Sequence, residues 1–265
     1  MDVIDTAALL GAGLAAGTVN AVAGGGSLIT FPTLVAVGFS PVAANVTNSI
    51  AVCPGYLASV FGSRADLGAL AARRGRAALY PLVPTALVGT AIGCALLLVT
   101  PARAFEIVVP FLVLAAAALL AFGERVGERL RRAVDDPAAP GPHLSRRRTA
   151  ALHVLVGVAS VYGGYFGAGL GVILVATLGI VLEDSLARVS ALKNAISAVV
   201  GLGTVVAFAL FGPVDWTAVA VIAPSSLVGG YLGARLVRRL PARTLRVAIV
   251  ATGVVVAAVL AVSAF

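Results

Sequence analysis

The 265-residue sequence predicts an all-α polytopic membrane protein: about eight hydrophobic helical segments in two inverted repeats, with the first segment of each repeat broken or re-entrant. Three observations carry this prediction: an apolar composition, an internal duplication and a one-sided distribution of basic residues. Hydrophobic residues make up 60% of the chain and charged residues 11%, against about 45–50% and 25% in soluble domains. Apolar stretches cover 6–62, 77–100, 104–123, 149–182, 195–214, 216–234 and 247–265, and one membrane crossing needs roughly 20 residues.

The duplication is a helix-proline-helix unit. Residues 84–108 align without a gap on 224–248, with nine identities in twenty-five positions, among them Pro84/Pro224, Gly89/Gly229, Gly93/Gly233 and Pro101/Pro241. Where the second copy carries Arg235, Arg238, Arg239 and Arg246, the first has Ala95, Leu98, Val99 and Glu106. One copy therefore has a bare connection and the other a basic one. Short cytoplasmic loops are marked by excess Lys and Arg, so the two connections are expected on opposite sides of the membrane.

Counting basic residues decides how the long stretches 6–37 and 149–182 are used. If each crosses once, the two sides receive eleven and eight basic residues; if each turns near its glycines and returns, eighteen of nineteen fall on one side and Arg103 stands alone outside. The second arrangement satisfies the positive-inside rule. It gives each half three full crossings, an odd number, so the halves are inverted. The expected units are 1–123 and 149–265, joined by a cytoplasmic linker 124–148 rich in charge and proline. Both termini are expected outside the cytoplasm.

Along the chain, the first segment carries Asp2 and Asp5 in place of a basic signal-peptide region, so it is expected to remain in the mature protein. It is interrupted by Gly24, Gly25 and Gly26. Glycine costs about 1 kcal/mol relative to alanine in a helix, so three in a row mark a break. Such backbone is tolerated at membrane depth only where protein or a water-filled cavity surrounds it. The counterpart break lies in Gly163, Gly164, Gly167, Gly169 and Gly171. Interruptions at corresponding places in two halves point to a transporter's substrate site. A half-helix starting after Gly26 or Gly171 would present amide donors and a positive dipole end, an arrangement suited to an anion. Ser27 and Thr30 add hydroxyl donors. Close helix packing is the alternative use of such glycines.

The segment after Pro41 holds Asn45, Thr47, Asn48 and Ser49; its counterpart holds Arg188, Ser190, Lys193, Asn194 and Ser197. Asn45 and Asn48 share a helix face, as do Lys193 and Ser197. Ionisable groups inside spans are expensive and mark function, although Arg188 and Lys193 lie near a helix end from which long side chains can snorkel. Carboxylates within the spans are nearly absent, Glu106 and Asp215 lying near ends or in a connection.

Several classes are excluded. The net charge of +8 comes with no arginine face interleaved with aromatics, so no nucleic-acid partner is expected. Cys53 and Cys94 lie in apolar segments and read as buried thiols, and His143 and His153 lack ligand spacing, so neither a metal nor another cofactor is called for. No HExxH motif and no credible Ser/His/Asp set suggests an enzyme.

The portions 20–49 (NAVAGGGSLITFPTLVAVGFSPVAANVTNS), 208–216 (FALFGPVDW) and 226–246 (SLVGGYLGARLVRRLPARTLR) resemble the TauE/SafE family of sulfite exporter-like membrane proteins. The resemblance implies a bacterial inner-membrane carrier exporting sulfite or organosulfonates. It implies substrate contacts from Gly24, Gly25, Gly26, Ser27, Asn45, Thr47 and Asn48 in the first half; the second half offers Gly169, Gly171, Lys193 and Asn194. The expected function is transport of a small anion by alternating access between the breaks, with an anion channel or a subunit of a larger membrane assembly as alternatives.

Overall fold

The computed structural model describes residues 1–22, 24–134, 146–182 and 184–236, and over these the chain is helical throughout, without a strand. Part of the linker, the second copy of the duplicated unit from residue 237 on, including Arg238, Arg239, Arg243 and Arg246, and the C-terminal tail lie outside the described residues. The first half comprises α1 (Val3–Val22), α2 (Ser27–Ala36), α3 (Pro41–Ala51), α4 (Cys53–Gly62), α5 (Arg64–Arg74), α6 (Arg76–Leu79), α7 (Leu82–Val99) and α8 (Ala102–Val134). The second comprises α9 (Arg146–Tyr165), α10 (Leu170–Leu182), α11 (Leu186–Phe211) and α12 (Trp216–Leu236). Helix α8 continues past Gly123 into the segment read as linker. Among the described residues, Val3–Ala21, Arg76–Val99, Leu186–Phe211 and Trp216–Gly233 are each long and apolar enough to cross a membrane.

Both long stretches are broken where the glycines stand. Helix α1 starts on a reciprocal cap, Asp2 and Asp5 each accepting the other's amide at 2.8–3.0 Å, which satisfies two of the donors an N-terminus leaves open. It ends at a left-handed Gly24 (φ 82°), whose N–H donates to the Val19 carbonyl at 2.9 Å. The second break repeats this device: Gly167 (φ 74°) donates to the Tyr162 carbonyl, also five residues back, at 3.1 Å. A Cβ on Gly26 would lie 2.1 Å from the Ala16 carbonyl oxygen. The chain has therefore doubled back, and α2 begins beside a point more than one turn before the end of α1. Helices α3 and α4 form one bent rod, with Pro54 in the first turn of α4 after the bend at Val52.

Packing pairs the halves crosswise. Helix α12 lies chiefly on α1 and α7 on α9, so the helical part of each duplicated unit packs on the broken helix of the other half. In both crossings the repeated glycines are the contact. A Cβ on Gly89 or Gly93 would lie 2.6 or 2.1 Å from a backbone oxygen of α9, and one on Gly229 or Gly233 would lie 2.1 or 2.6 Å from one of α1. Membrane helices associate by such backbone approach because hydrocarbon supplies no hydrophobic drive.

The polarity is the reverse of a soluble protein's. Leu87, Val88, Ile92 and Leu96 on α7 and Leu202, Val206 and Leu210 on α11 are exposed, while Asn20, Thr30, Asn45, Asn48 and Lys193 are buried. Phe166, in the second break, packs edge-to-face on Phe31 of α2 (5.3 Å between centroids) and on Phe105 of α8 (6.3 Å). Cys53 and Cys94 are free and buried. Both thiols are expected to resist a maleimide in the folded, detergent-solubilised protein and to react after SDS denaturation, as counted by intact mass; ready labelling of the folded protein would contradict this packing.

Candidate substrate site at the two helix breaks

The two breaks touch backbone to backbone. A Cβ on Gly24 would lie 2.3 Å from the Gly171 Cα, and one on Gly171 would lie 2.4 Å from the Gly24 Cα. Only hydrogen fits at either position. Helix α2 starts at Ser27 as the glycine run suggested, but α10 starts at Leu170, so Gly171 lies inside its first turn rather than ahead of it. Gly171 therefore serves as the surface on which the first break rests. Gly169 (φ 78°) supplies the left-handed turn before α10 and faces Ala116 of α8.

A polar network surrounds this contact. The Asn20 side-chain oxygen accepts the Gly26 N–H at 2.7 Å, and the Asn20 carbonyl accepts the Lys193 ammonium at 2.8 Å. Two of the amides near the start of α2, those of Gly24 and Gly26, are thus engaged within the protein. Lys193 does not snorkel: it is fully buried and reaches across from α11 to the end of α1, where carbonyls are left open and the helix dipole favours a cation. Among the described residues no carboxylate pairs with it. The Thr30 hydroxyl donates to the Asn48 side-chain oxygen, and Asn45 donates through Nδ2 to the Tyr165 carbonyl at 2.9 Å. Asn45 thereby joins the first half to the last residue before the second break.

Thr47 and Asn194 turn elsewhere. The Thr47 hydroxyl accepts the Asp215 N–H at 3.1 Å and so holds the connection between α11 and α12. Asn194 donates to the Ser63 hydroxyl at 3.2 Å, at the junction of α4 and α5. Ser27 lines a cavity of about 20 Å³ between the breaks, with Ser49, Tyr56, Gly163, Gly167 and Thr204. That space admits roughly one water. Gly25 is buried in the turn, its carbonyl accepting the Leu28 N–H at 3.0 Å. Buried polar atoms without a hydrogen-bond partner cluster on the same helices: Asn20 Nδ2, Asn45 Oδ1, Ser160 Oγ, Asn194 Oδ1 and Ser197 Oγ. Since buried polar groups are normally paired, these atoms keep hydrogen-bonding capacity for ordered water or a polar solute, although Asn194 lies by Ser63 and Ser160 against Gly89 of α7.

Sequence reading missed Asn20, Tyr56, Ser160 and Thr204. Asn20 had a signal, a lone amide in an apolar helix shortly before the glycines; the others are hydroxyls whose faces only packing defines. Asp184 was missed as well. Its buried carboxylate meets Arg188 at 2.5 Å, Arg73 at 3.7 Å and Arg74 at 3.9 Å, and the buried Arg74 also donates to the Leu182 carbonyl. This cluster ties α5 of the first half to the α10–α11 connection of the second. Asp184→Asn is expected to cost about 3 kcal/mol, because it leaves buried positive charge uncompensated; denaturant unfolding in detergent tests this, and an unchanged midpoint would show the cluster to be energetically idle.

A helical protein with an apolar exterior, a buried polar centre and two helix breaks in contact belongs to the multi-pass membrane transporters. The chain is a member of the family described as sulfite exporter TauE/SafE, which matches residues 9–260. It is 28% identical over 228 residues to the "Probable membrane transporter protein YfcA" of Escherichia coli K12, covering 85% of this chain and 76% of the relative. It is 27% identical over 227 residues to a "Probable membrane transporter protein" of Haemophilus influenzae, covering 85% and 82%. A third relative, the Sinorhizobium "Probable membrane transporter protein ORF9", is 26% identical over 223 residues. No solved structure matches the chain.

Proposed function

We propose that this transporter carries a small sulfur oxyanion, sulfite or an organosulfonate, outward across the bacterial inner membrane by alternating access. The observation that carries the reading is the Lys193 ammonium, buried beside the first break with no carboxylate pairing it among the described residues. An ionisable side chain inside a membrane protein is costly and is a functional-site hypothesis by default, and an anion is the ligand that favours its charged form. The substrate displaces the lysine from the Asn20 carbonyl and takes donors from Asn20, Ser27 and Ser197. Asn45, Asn48 and Thr30 brace the break, while the glycines let the two half-helices approach.

The narrow space between the breaks favours a carrier over an open pore. A cavity of about 20 Å³ has no room for an oxyanion, so binding requires the halves to separate. An internal repeat is supported by three correspondences, and its inversion, with eight segments and both termini outside the cytoplasm, by the one-sided distribution of basic residues. The correspondences are the shared glycine device at both breaks, the crosswise packing of α7 on α9 and α12 on α1, and a serine of the same extended backbone conformation before α3 and α11, Ser40 (φ −60°, ψ 148°) and Ser185 (φ −60°, ψ 145°), of which Ser40 alone caps through its side chain.

Proteoliposomes loaded with sulfite, thiosulfate, sulfate or taurine provide the test. Sulfite or sulfonate efflux is expected to exceed that of empty liposomes and to saturate with concentration. Sulfate moving as fast as sulfite would refute the substrate assignment, and ohmic single-channel currents would refute the carrier. An N-terminal tag protected from outside reagents in intact spheroplasts would refute the orientation.

A further inference from the structure

We propose that the groove between α5, α6, α7 and α11 binds one anionic phospholipid, its headgroup drawn by the positive charge of Arg64 and Arg76 and an acyl chain along the apolar wall. The groove has a volume of about 430 Å³, within the range of small-ligand pockets. Its wall is hydrocarbon: Leu67, Leu82, Val83, Ala86, Ile196 and Val199 are among its lining residues, and its two charged members are Arg64 and Arg76. Leu79 and Val83 belong to a span long and apolar enough to cross a membrane, so this side of the groove opens toward lipid. From Leu82 to Ala86 on α7 and from Leu192 to Val199 on α11 the wall runs about 6 and 10 Å along the helix axes, at 1.5 Å per residue.

The charges favour an anionic occupant. Other arginines nearby are spoken for, Arg73, Arg74 and Arg188 sharing Asp184. Arg64 and Arg76 are exposed, and neither pairs with a carboxylate among the described residues; Arg64 instead lies 4.6 Å above the Phe61 ring. Phe61 and Tyr80, both exposed, frame this end as aromatic residues do at headgroup level. Basic pockets between membrane helices recognise anionic headgroups in this way. The transported anion does not suit the groove. On α11 the groove uses the stripe Leu192, Ala195, Ile196 and Val199, whereas Lys193 is directed away from it to the Asn20 carbonyl at the first break. The inference is independent of which substrate is carried.

Native mass spectrometry of the delipidated full-length protein tests it, titrating palmitoyl-oleoyl phosphatidylglycerol, the matching phosphatidylcholine and glycerol 3-phosphate. Each arginine near the surface contributes about fivefold to anionic-lipid affinity, so the wild type is expected to prefer phosphatidylglycerol by roughly thirtyfold. Arg64→Gln with Arg76→Gln is expected to abolish that preference without changing phosphatidylcholine binding. Val83→Trp, which fills the groove, is expected to weaken both lipids. Arg103→Gln, in the first turn of α8 beyond the far end of α7, is expected to leave the preference intact. Equal affinity of the wild type for the two lipids, a preference that survives the double substitution, or glycerol 3-phosphate competing as well as the lipid would each overturn the proposal. The two arginines are exposed, so their replacement decides the question even if Val83→Trp fails to fold.

Discussion

Gly24→Ala is expected to abolish transport and to lower stability by about 2–5 kcal/mol, whereas Gly11→Ala within α1 keeps transport and does not lower stability. At Gly24 the backbone is left-handed (φ 82°), which costs an L-residue about 1–2 kcal/mol. The new methyl would also sit 2.3 Å from the Gly171 Cα. No rotamer relieves a clash with backbone, so the two breaks must move apart, and overpacking of this kind costs typically 1–3 kcal/mol more. Gly11 has nothing within 4 Å of its Cβ position, so alanine there gains helix propensity, up to about 1 kcal/mol. Denaturant unfolding in detergent and flux in proteoliposomes read the two effects separately. Wild-type flux from Gly24→Ala would sink the view that contact between the breaks is needed for transport.

Lys193→Gln is expected to reduce anion flux by about a hundredfold and to remove the stabilisation that the anion confers. A ligand at a hundred times its Kd stabilises a folded protein by about 2.7 kcal/mol, readable as a thermal shift on adding sulfite. Were Lys193 only a strut to the Asn20 carbonyl, its replacement would lower stability by the cost of an orphaned buried acceptor, about 1–3 kcal/mol, while the sulfite-induced shift survived. A shift that persists in the variant would therefore reject Lys193 as the substrate's counter-charge. Asn48→Ala provides a milder comparison, since it removes the acceptor of the Thr30 hydroxyl and leaves the buried charge untouched.

How much of the site was legible differs residue by residue. The breaks were legible because glycine runs in apolar sequence have few uses, and both appear where they were expected, at Gly24 to Gly26 and around Gly167. The glycines of α7 and α12 had a packing meaning that the duplication hinted at but did not specify. That α7 lies on α9 and α12 on α1 is an exchange between halves that no local pattern encodes. Thr47 and Asn194 carry the right chemistry for the site but are directed to Asp215 and Ser63, because a residue's usefulness depends on which way its helix is turned. Asp184 went unnoticed because an acidic residue in a short connection is ordinary until three arginines converge on it.

Composition and glycine placement by themselves determined that this chain lives in a membrane, is helical and interrupts its first helix in each half. These are properties of transfer free energy and backbone conformation, which act on each segment almost independently of its neighbours. Only the tertiary structure decided that the two interruptions rest on each other at Gly24 and Gly171, and that Lys193 turns inward to the end of α1 rather than outward to the headgroups. Those outcomes depend on the rotation and depth of packed helices, which are set by contacts between residues more than a hundred positions apart.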